Sequence, residues 1–321
     1  MFVGNIGWAR LVRMTLVKRN ALALAVIMAC AGTQTQAASA LLGNAQSFSV
    51  LGHTTVSNTG SSVITGNVGV FDSAGSTAST GFSSSNTFAG PGSNTNGPGI
   101  VNAPSVIHLG DTAAGLARTD VITAYNALAG LPFPTILTGQ NLGGLTLVPG
   151  VYFFATSAQL TGTLTLNAQG NNNAFWVFQI GSTLTTASSS VVQLINPGTN
   201  NGFDDGVFWQ VGSSATLGTS TIFEGNILAL TSITLNTSAR IDNGRALVQN
   251  GAVTLDTNII SNVCPPPNNG PGFSGGLGFE NGKVVSLGTQ ALTVPLPSAF
   301  LLGGCGLVCL FVSRLRPRTA T

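Results

Sequence analysis

The side chains that most often carry chemistry are few in this chain. Its two histidines, His53 and His108, have no second histidine at metal-ligand spacing. No nucleophile elbow or phosphate-cradling glycine loop is present. Asp204-Asp205 with Asn200 and Asn201 offers oxygen ligands for Ca²⁺, but it lacks the spacing of an EF-hand or nonapeptide repeat and reads as a polar turn. Arg118, Arg240 and Arg245 are too few to line the basic groove that a polysaccharide-cleaving β-helix needs. These residues predict a protein that is not an enzyme and that uses no cofactor and no metal.

What does recur is a hydroxyl at fixed spacing. Thr163-Leu164-Thr165-Leu166-Asn167, Thr183-Leu184-Thr185-Thr186-Ala187, Ser214-Ala215-Thr216-Leu217-Gly218, Ser232-Ile233-Thr234-Leu235-Asn236 and Ala252-Val253-Thr254-Leu255-Asp256 align without gaps, and Gly144-Leu145-Thr146-Leu147-Val148 is a weaker copy. Successive copies start about 18 to 20 residues apart, with one interval of 31 that holds the polar loop Asn196 to Gly206. Each copy alternates with period two, which makes it a strand with two faces. Leu164, Leu184, Ala215, Ile233 and Val253 point inward, and Thr163, Thr165, Thr183, Thr185, Ser214, Thr216, Ser232, Thr234 and Thr254 point outward. A repeat of this length stacks as coils of a parallel β-solenoid, with strands about 4.8 Å apart. The outward threonines then form a ladder, one per coil.

Other elements must hold that ladder in place. Ala174 to Ile180, Gly206 to Val211, Asn226 to Leu230 and Arg245 to Val248 are apolar, as strands buried within coils are. Residues 110–130 carry Leu116, Val121, Ala124 and Leu128 at helical spacing, with Asp111 to cap the start and Gly130 and Pro132 to end it, so one helix is expected beside the coils. Residues 72–104, rich in Ser, Gly, Asn and Thr, are expected to cap one end. The folded domain is expected to span 41–262, followed by a Pro/Gly linker and spacer over 263–293.

Only 6% of the 321 residues are charged, against about 25% in an average soluble domain. Eleven Lys and Arg cannot form the dense patch that nucleic acid needs, which excludes that partner. The cations also crowd at the ends. Arg10, Arg13, Lys18 and Arg19 precede the apolar run Ala21 to Ala29, and residues 1–40 read as an export signal peptide. Arg314, Arg316 and Arg318 follow the apolar stretch Phe300 to Val312. The central part keeps four cations against nine acids, a balance of −5. Cys264 is the one cysteine outside the two apolar ends, so no internal disulfide is expected.

Two resemblances follow from these residues. Val294-Pro295-Leu296-Pro297, the apolar run and the basic tail over 294–318 resemble a bacterial PEP-CTERM sorting signal of VPLP type. That resemblance implies an exosortase-type processing enzyme as partner, insertion of the C-terminal helix in the membrane, and delivery to the cell surface of a Gram-negative bacterium. Leu41 to Gly52, Thr65 to Val70, Leu142 to Tyr152, Phe208 to Gly212 and Gly244 to Leu247 together resemble the microbial ice-binding-protein-like family over 41–262. The family implies an all-β fold: a right-handed, discontinuous parallel β-solenoid of triangular cross-section with one flanking α-helix. It also implies adsorption to ice through a flat face. Many relatives carry a cysteine pair near the end of the helix, and Leu131-Pro132-Phe133-Pro134-Thr135 has none.

Ice presents a neutral, repeating lattice, so a binder needs a flat, rigid and regular array. Thr supplies a methyl and a hydroxyl on a side chain that is stiff at its first torsion, and little order is lost when it is fixed. The competing reading is a surface adhesin or matrix protein that binds exopolysaccharide. It would display aromatic rings for sugar stacking where an ice binder displays Thr and Ser.

Overall fold

The computed structural model describes residues 38–72, 78–133, 135–263, 273–280 and 282–287. The export segment 1–37 and the C-terminal apolar segment 294–318 lie outside the described residues. Among the described residues no helix is long and apolar enough to cross a membrane.

The period-two segments form three parallel ladders. One, covered by the helix, runs in the order Thr135–Ile136, Gly150–Phe154, Phe175–Ile180, Gly206–Val211, Ile222–Ala229, Arg240–Val248, Phe48–Gly52, Asn67–Val70, Ile107–Leu109 and Phe88–Ala89. A second, the hydroxyl ladder, is an eight-stranded sheet: Ala158–Leu160, Leu184–Thr186, Ala215–Leu217, Ile233–Leu235, Val253–Leu255, Thr55–Asn58, Ala78–Phe82 and Ser93–Asn96. The third, the outer ladder, joins Thr146–Leu147, Thr163–Asn167, Val191–Ile195, the first halves of Ile222–Ala229 and Arg240–Val248, then Ile259–Ser261, Val63–Thr65 and Ile100–Val101. The two long strands therefore belong to two ladders. They bend between Glu224 and Asn226, where Gly225 (φ +99°) leaves no room for a Cβ against Val207.

The stacking order departs from the chain order. Arg240–Val248 pairs with Phe48–Gly52, Val253–Leu255 with Thr55–Asn58, and Ile259–Ser261 with Val63–Thr65. The chain's first coils thus lie on its last. The connection between the two groups is helix α1 (Thr112–Ala129), which starts after Leu109. Asp111 caps it by accepting from Ala114 N–H, and Gly130 ends it. Ala117, Val121, Ala124, Tyr125 and Leu128 pack on Leu51, Val151, Val177, Phe208, Leu228 and Leu247 of the covered ladder. Leu116, expected on this packed stripe, instead faces solvent at 50% exposure, with the smaller Ala117 buried beside it.

Inside the coils, Leu184, Ala215, Ile233 and Val253 are buried in one row and Thr186, Leu217, Leu235 and Leu255 in the next. Thr186 is tolerated there because its hydroxyl pairs with that of Thr221 (2.8 Å) and accepts from Gly218 N–H. An inward aromatic column runs Tyr152, Phe178, Trp209, Phe223, with ring centroids 5.6, 3.9 and 4.8 Å apart.

Described residues beyond Asn262 also pack against the coils. Phe273 and Leu277 are buried, Phe273 in the core between coils. Leu277–Glu280 and Lys283–Ser286 form a small antiparallel sheet with Ser39–Ala40. The glycines around these anchors give the segment a linker's composition, while Phe273, Leu277 and Phe279 supply enough apolar surface to dock it.

A candidate binding face

The hydroxyl ladder's register brings one outward residue per strand into a row: Gln159, Thr185, Thr216, Thr234, Thr254, Ser57, Thr80 and Thr95. Two residues earlier on the same face runs a second row: Ser157, Thr183, Ser214, Ser232, Ala252, Thr55, Ala78 and Ser93. Along a row, neighbours are about 4.8 Å apart, and the rows are separated by about 6.6 Å, two residues of strand. No residue in either row is charged or aromatic. Thr185, Thr254 and Thr95 are exposed, and Thr216, Thr234, Ser57 and Thr80 are half-buried by their neighbours. The Thr183 hydroxyl donates to that of Ser157 (2.8 Å), so row members also bond to each other.

Seven of the nine threonines and serines expected on one face are together here: Thr183, Thr185, Ser214, Thr216, Ser232, Thr234 and Thr254. Thr163 and Thr165 are elsewhere. They lie on the outer ladder, where Thr165 pairs with Thr146 on one side and Gln193 on the other. In their coil the hydroxyl ladder is occupied by Ala158–Leu160, with Gln159 outward. The Thr-Leu-Thr-Leu alternation says which side of a strand faces out, but not which wall of the coil the strand belongs to. Conversely, Thr55, Ser57, Thr80, Ser93 and Thr95 join the rows without having been expected. Thr55-Val56-Ser57 has the right alternation, but its partner Thr254 is identifiable only once the first coils are known to stack on the last.

The other two ladders present different surfaces. One is covered by α1. The outer ladder exposes Ile222, Ile259, Val63 and Ile100 and carries an Arg240–Asp242 ion pair (Nη2 to Oδ2, 2.9 Å). Beside it, burial, reinforced by the neighbouring charge of Asp242, pushes the Glu224 carboxyl up to about 8.

The remaining titratable groups serve the fold. His53 Nδ1 meets the Phe71 carbonyl at 2.8 Å and His108 Nδ1 meets Asp111 Oδ2 at 2.6 Å. Burial would raise the Asp111 carboxyl, but the Ala114 N–H and the His108 contact outweigh it and hold the group below its ordinary value. In the loop before Gly206, Asn200 donates to Asp204, and Asp205 is wholly buried, accepting from Ala174 N–H (2.8 Å). Desolvation pushes Asp205 up to about 6. Among the described residues no three His, Cys, Asp or Glu side chains gather as a metal site.

Fold and face together define a helix-backed parallel β-protein whose distinctive surface is two uncharged rows made mostly of Thr and Ser. The chain belongs to the ice-binding-like family, whose model matches residues 50–261. It is 53% identical over 251 residues to an ice-binding protein of Nostoc sp. (strain HG1), covering 77% of this chain and 84% of that one. An ice-binding protein of Colwellia sp is 34% identical over 68% of this chain and 82% of its own. Among solved structures, an ice-binding protein from an Antarctic biological consortium matches with TM-score 0.59 at 36% identity, over 75% of this chain and 97% of that one. One from the Antarctic ascomycete Antarctomyces psychrotrophicus matches with TM-score 0.58 at 35% identity, over 70% and 98%.

Proposed function

We propose that this protein binds ice, without catalysis, by adsorbing through the hydroxyl ladder. The single observation that carries this reading is the pair of uncharged Thr/Ser rows in continuous register across eight strands. Threonine methyls can border ordered water while hydroxyls anchor it, and each contact is weak enough that many must act together. A charged side chain would hold water in another geometry, and the outer ladder carries the charged pair Arg240 and Asp242 where the hydroxyl rows have none. The relatives named ice-binding proteins support the same reading. A sugar-binding adhesin is less well supported, because the rows offer no ring for stacking.

We read the three ladders as the walls of a right-handed solenoid of triangular cross-section. The N-terminal segment acts as export signal, cut near Ala38 so that the Ser39–Ala40 strand stays with the domain, and the 294–318 segment as an exosortase-processed sorting signal, so that the domain works at the surface of a Gram-negative cell. Thermal hysteresis and ice-crystal shape in the presence of the purified chain test the function. Faceted crystals and a hysteresis gap are expected. Round discs without a gap would overturn it. Thr216→Tyr with Thr234→Tyr should abolish the effect while the far-ultraviolet spectrum and thermal midpoint stay unchanged; retained activity would move the site to another wall.

A further inference from the structure

Within each group of coils, stacking neighbours follow one another along the chain, so connectivity keeps them in register. Between Arg240–Ser261 and Phe48–Thr65 connectivity does nothing of the kind, because these segments come from opposite ends of the domain. On the helix-covered ladder this seam is also thin. Backbone pairing there is confined to Val50 with Ala246 and Leu51 with Leu247, where the preceding step pairs Asn226 through Ala229 with Arg245 through Val248. One residue before the first seam pair, a side chain adds to the backbone pairing. Arg245 is 1% exposed, and its Nε (3.1 Å) and Nη2 (2.7 Å) both donate to the Gln46 carbonyl across the seam. Its Nη1 donates to Asn226 Oδ1 (2.7 Å) on the preceding coil. Asn226 in turn donates to the Phe273 carbonyl (2.7 Å), and Gln46 Nε2 to the Ser274 hydroxyl (3.2 Å). A rigid planar fork thus spans two coils that the chain does not connect directly, and only guanidinium geometry reaches both acceptors at once.

We infer that Arg245 is a positioning residue for the binding face: by fixing Gln46 it sets the strands that follow, and so holds Ser57, Thr80 and Thr95 coplanar with Thr185 to Thr254. This rests on the ice-binding reading of the hydroxyl ladder. It implies that the face is assembled from two halves whose alignment depends on a buried residue on a different wall, with no contact to ice.

The test is a set of variants of the full chain, read by thermal hysteresis and backbone hydrogen exchange. Arg245→Met should keep the fold and lose several-fold activity. The amides of His53 and Thr59, bonded across the seam to Gly251 and Leu255, should exchange faster, while that of Leu230, bonded within the second group to Val211, should not change. Thr80→Tyr should lower activity several-fold in the parent and add little to Arg245→Met, because misaligned coils no longer contribute. A loss from Thr80→Tyr that is equal in both backgrounds, or full activity in Arg245→Met, overturns the inference. If Arg245→Met does not fold, Arg245→Lys, whose single ammonium cannot span both acceptors, should give the same pattern more weakly. If neither folds, Arg245 is a folding requirement and the positioning role is wrong. Thr216→Tyr in the parent is the separate control: if it leaves activity intact, the hydroxyl-ladder reading itself fails, and the positioning role falls with it.

Discussion

Thr254 and Ser57 come from opposite ends of the folded domain and stand opposite each other on adjacent parallel strands. Their pairing makes one row out of two groups of coils. Without it the hydroxyl ladder would stop at Thr254, and the remaining strands would form a separate patch of Ser57, Thr80 and Thr95. With it, eight strands share one register, and the area over which weak contacts act together is extended.

The first prediction separates the two sets of threonines. Thr80→Tyr, in the first coils, should reduce thermal hysteresis several-fold, although it is far in sequence from the Thr-Leu repeat. Thr165→Tyr, on the outer ladder, should leave hysteresis unchanged although its local sequence matches the repeat best. If Thr165→Tyr is the damaging change, the active wall is the outer ladder.

That contrast also shows what could be read from residues alone. The coil length and the inward and outward assignment of Thr185, Thr216, Thr234 and Thr254 follow from period-two alternation and near-constant spacing, which are local properties. The ladder to which a strand belongs is not local, so alternation alone places Thr163 and Thr165 beside residues they do not face. Parallel ladder bonds connect any strand to any other, so nothing in Thr55-Val56-Ser57 specified Thr254 as its neighbour. The returning segment is hard to read for a compositional reason: two glycines on each side of Phe273 and Ser274 resemble a linker, while the few apolar side chains Phe273, Leu277 and Phe279 dock it.

Phe273 should therefore be worth testing as a core residue. Phe273→Ala empties a buried site between coils and should destabilise the domain by about 3–5 kcal/mol. Denaturant unfolding monitored by tryptophan fluorescence measures this. A change near zero would mean that the ladders alone, ending at Asn262, form the stable unit.

The helix has its own anchor. Gln179 Nε2, buried on the covered ladder, donates to the carbonyls of Leu128 (2.7 Å) and Leu131 (2.9 Å), closing the C-terminal end of α1 from outside the helix. The first lies in the helix's last turn, where carbonyls lack full intrahelical pairing, and the second just beyond the cap. Gln179→Leu should cost about 1–3 kcal/mol, the range for stranding buried polar groups. Hydrogen exchange should speed up at Gly130 and Leu131, whose amides bond into that last turn, and not at Gly115 in the first.

Two buried carboxyls predict how stability depends on pH. Asp205 is raised to about 6 from an ordinary 3.8, and Glu224 to about 8 from 4.5, both chiefly by desolvation. Each has one carboxyl oxygen buried without a hydrogen-bond partner. A group that holds its proton more tightly when folded contributes stability in full below its unfolded value, and that contribution is lost as pH rises through the folded one. The thermal midpoint should therefore fall between about pH 4 and 6 for Asp205, and between about pH 4.5 and 8 for Glu224. Asp205→Asn keeps an acceptor for Ala174 N–H and cannot ionise, so the part of the slope between pH 4 and 6 should flatten. Glu224→Gln should flatten the part between pH 6 and 8, where only Glu224 titrates of the two. Calorimetric midpoints at pH 4, 5, 6, 7 and 8 for the parent and both variants decide it; parallel curves for parent and variant would show that the replaced carboxyl is already ionised in the fold.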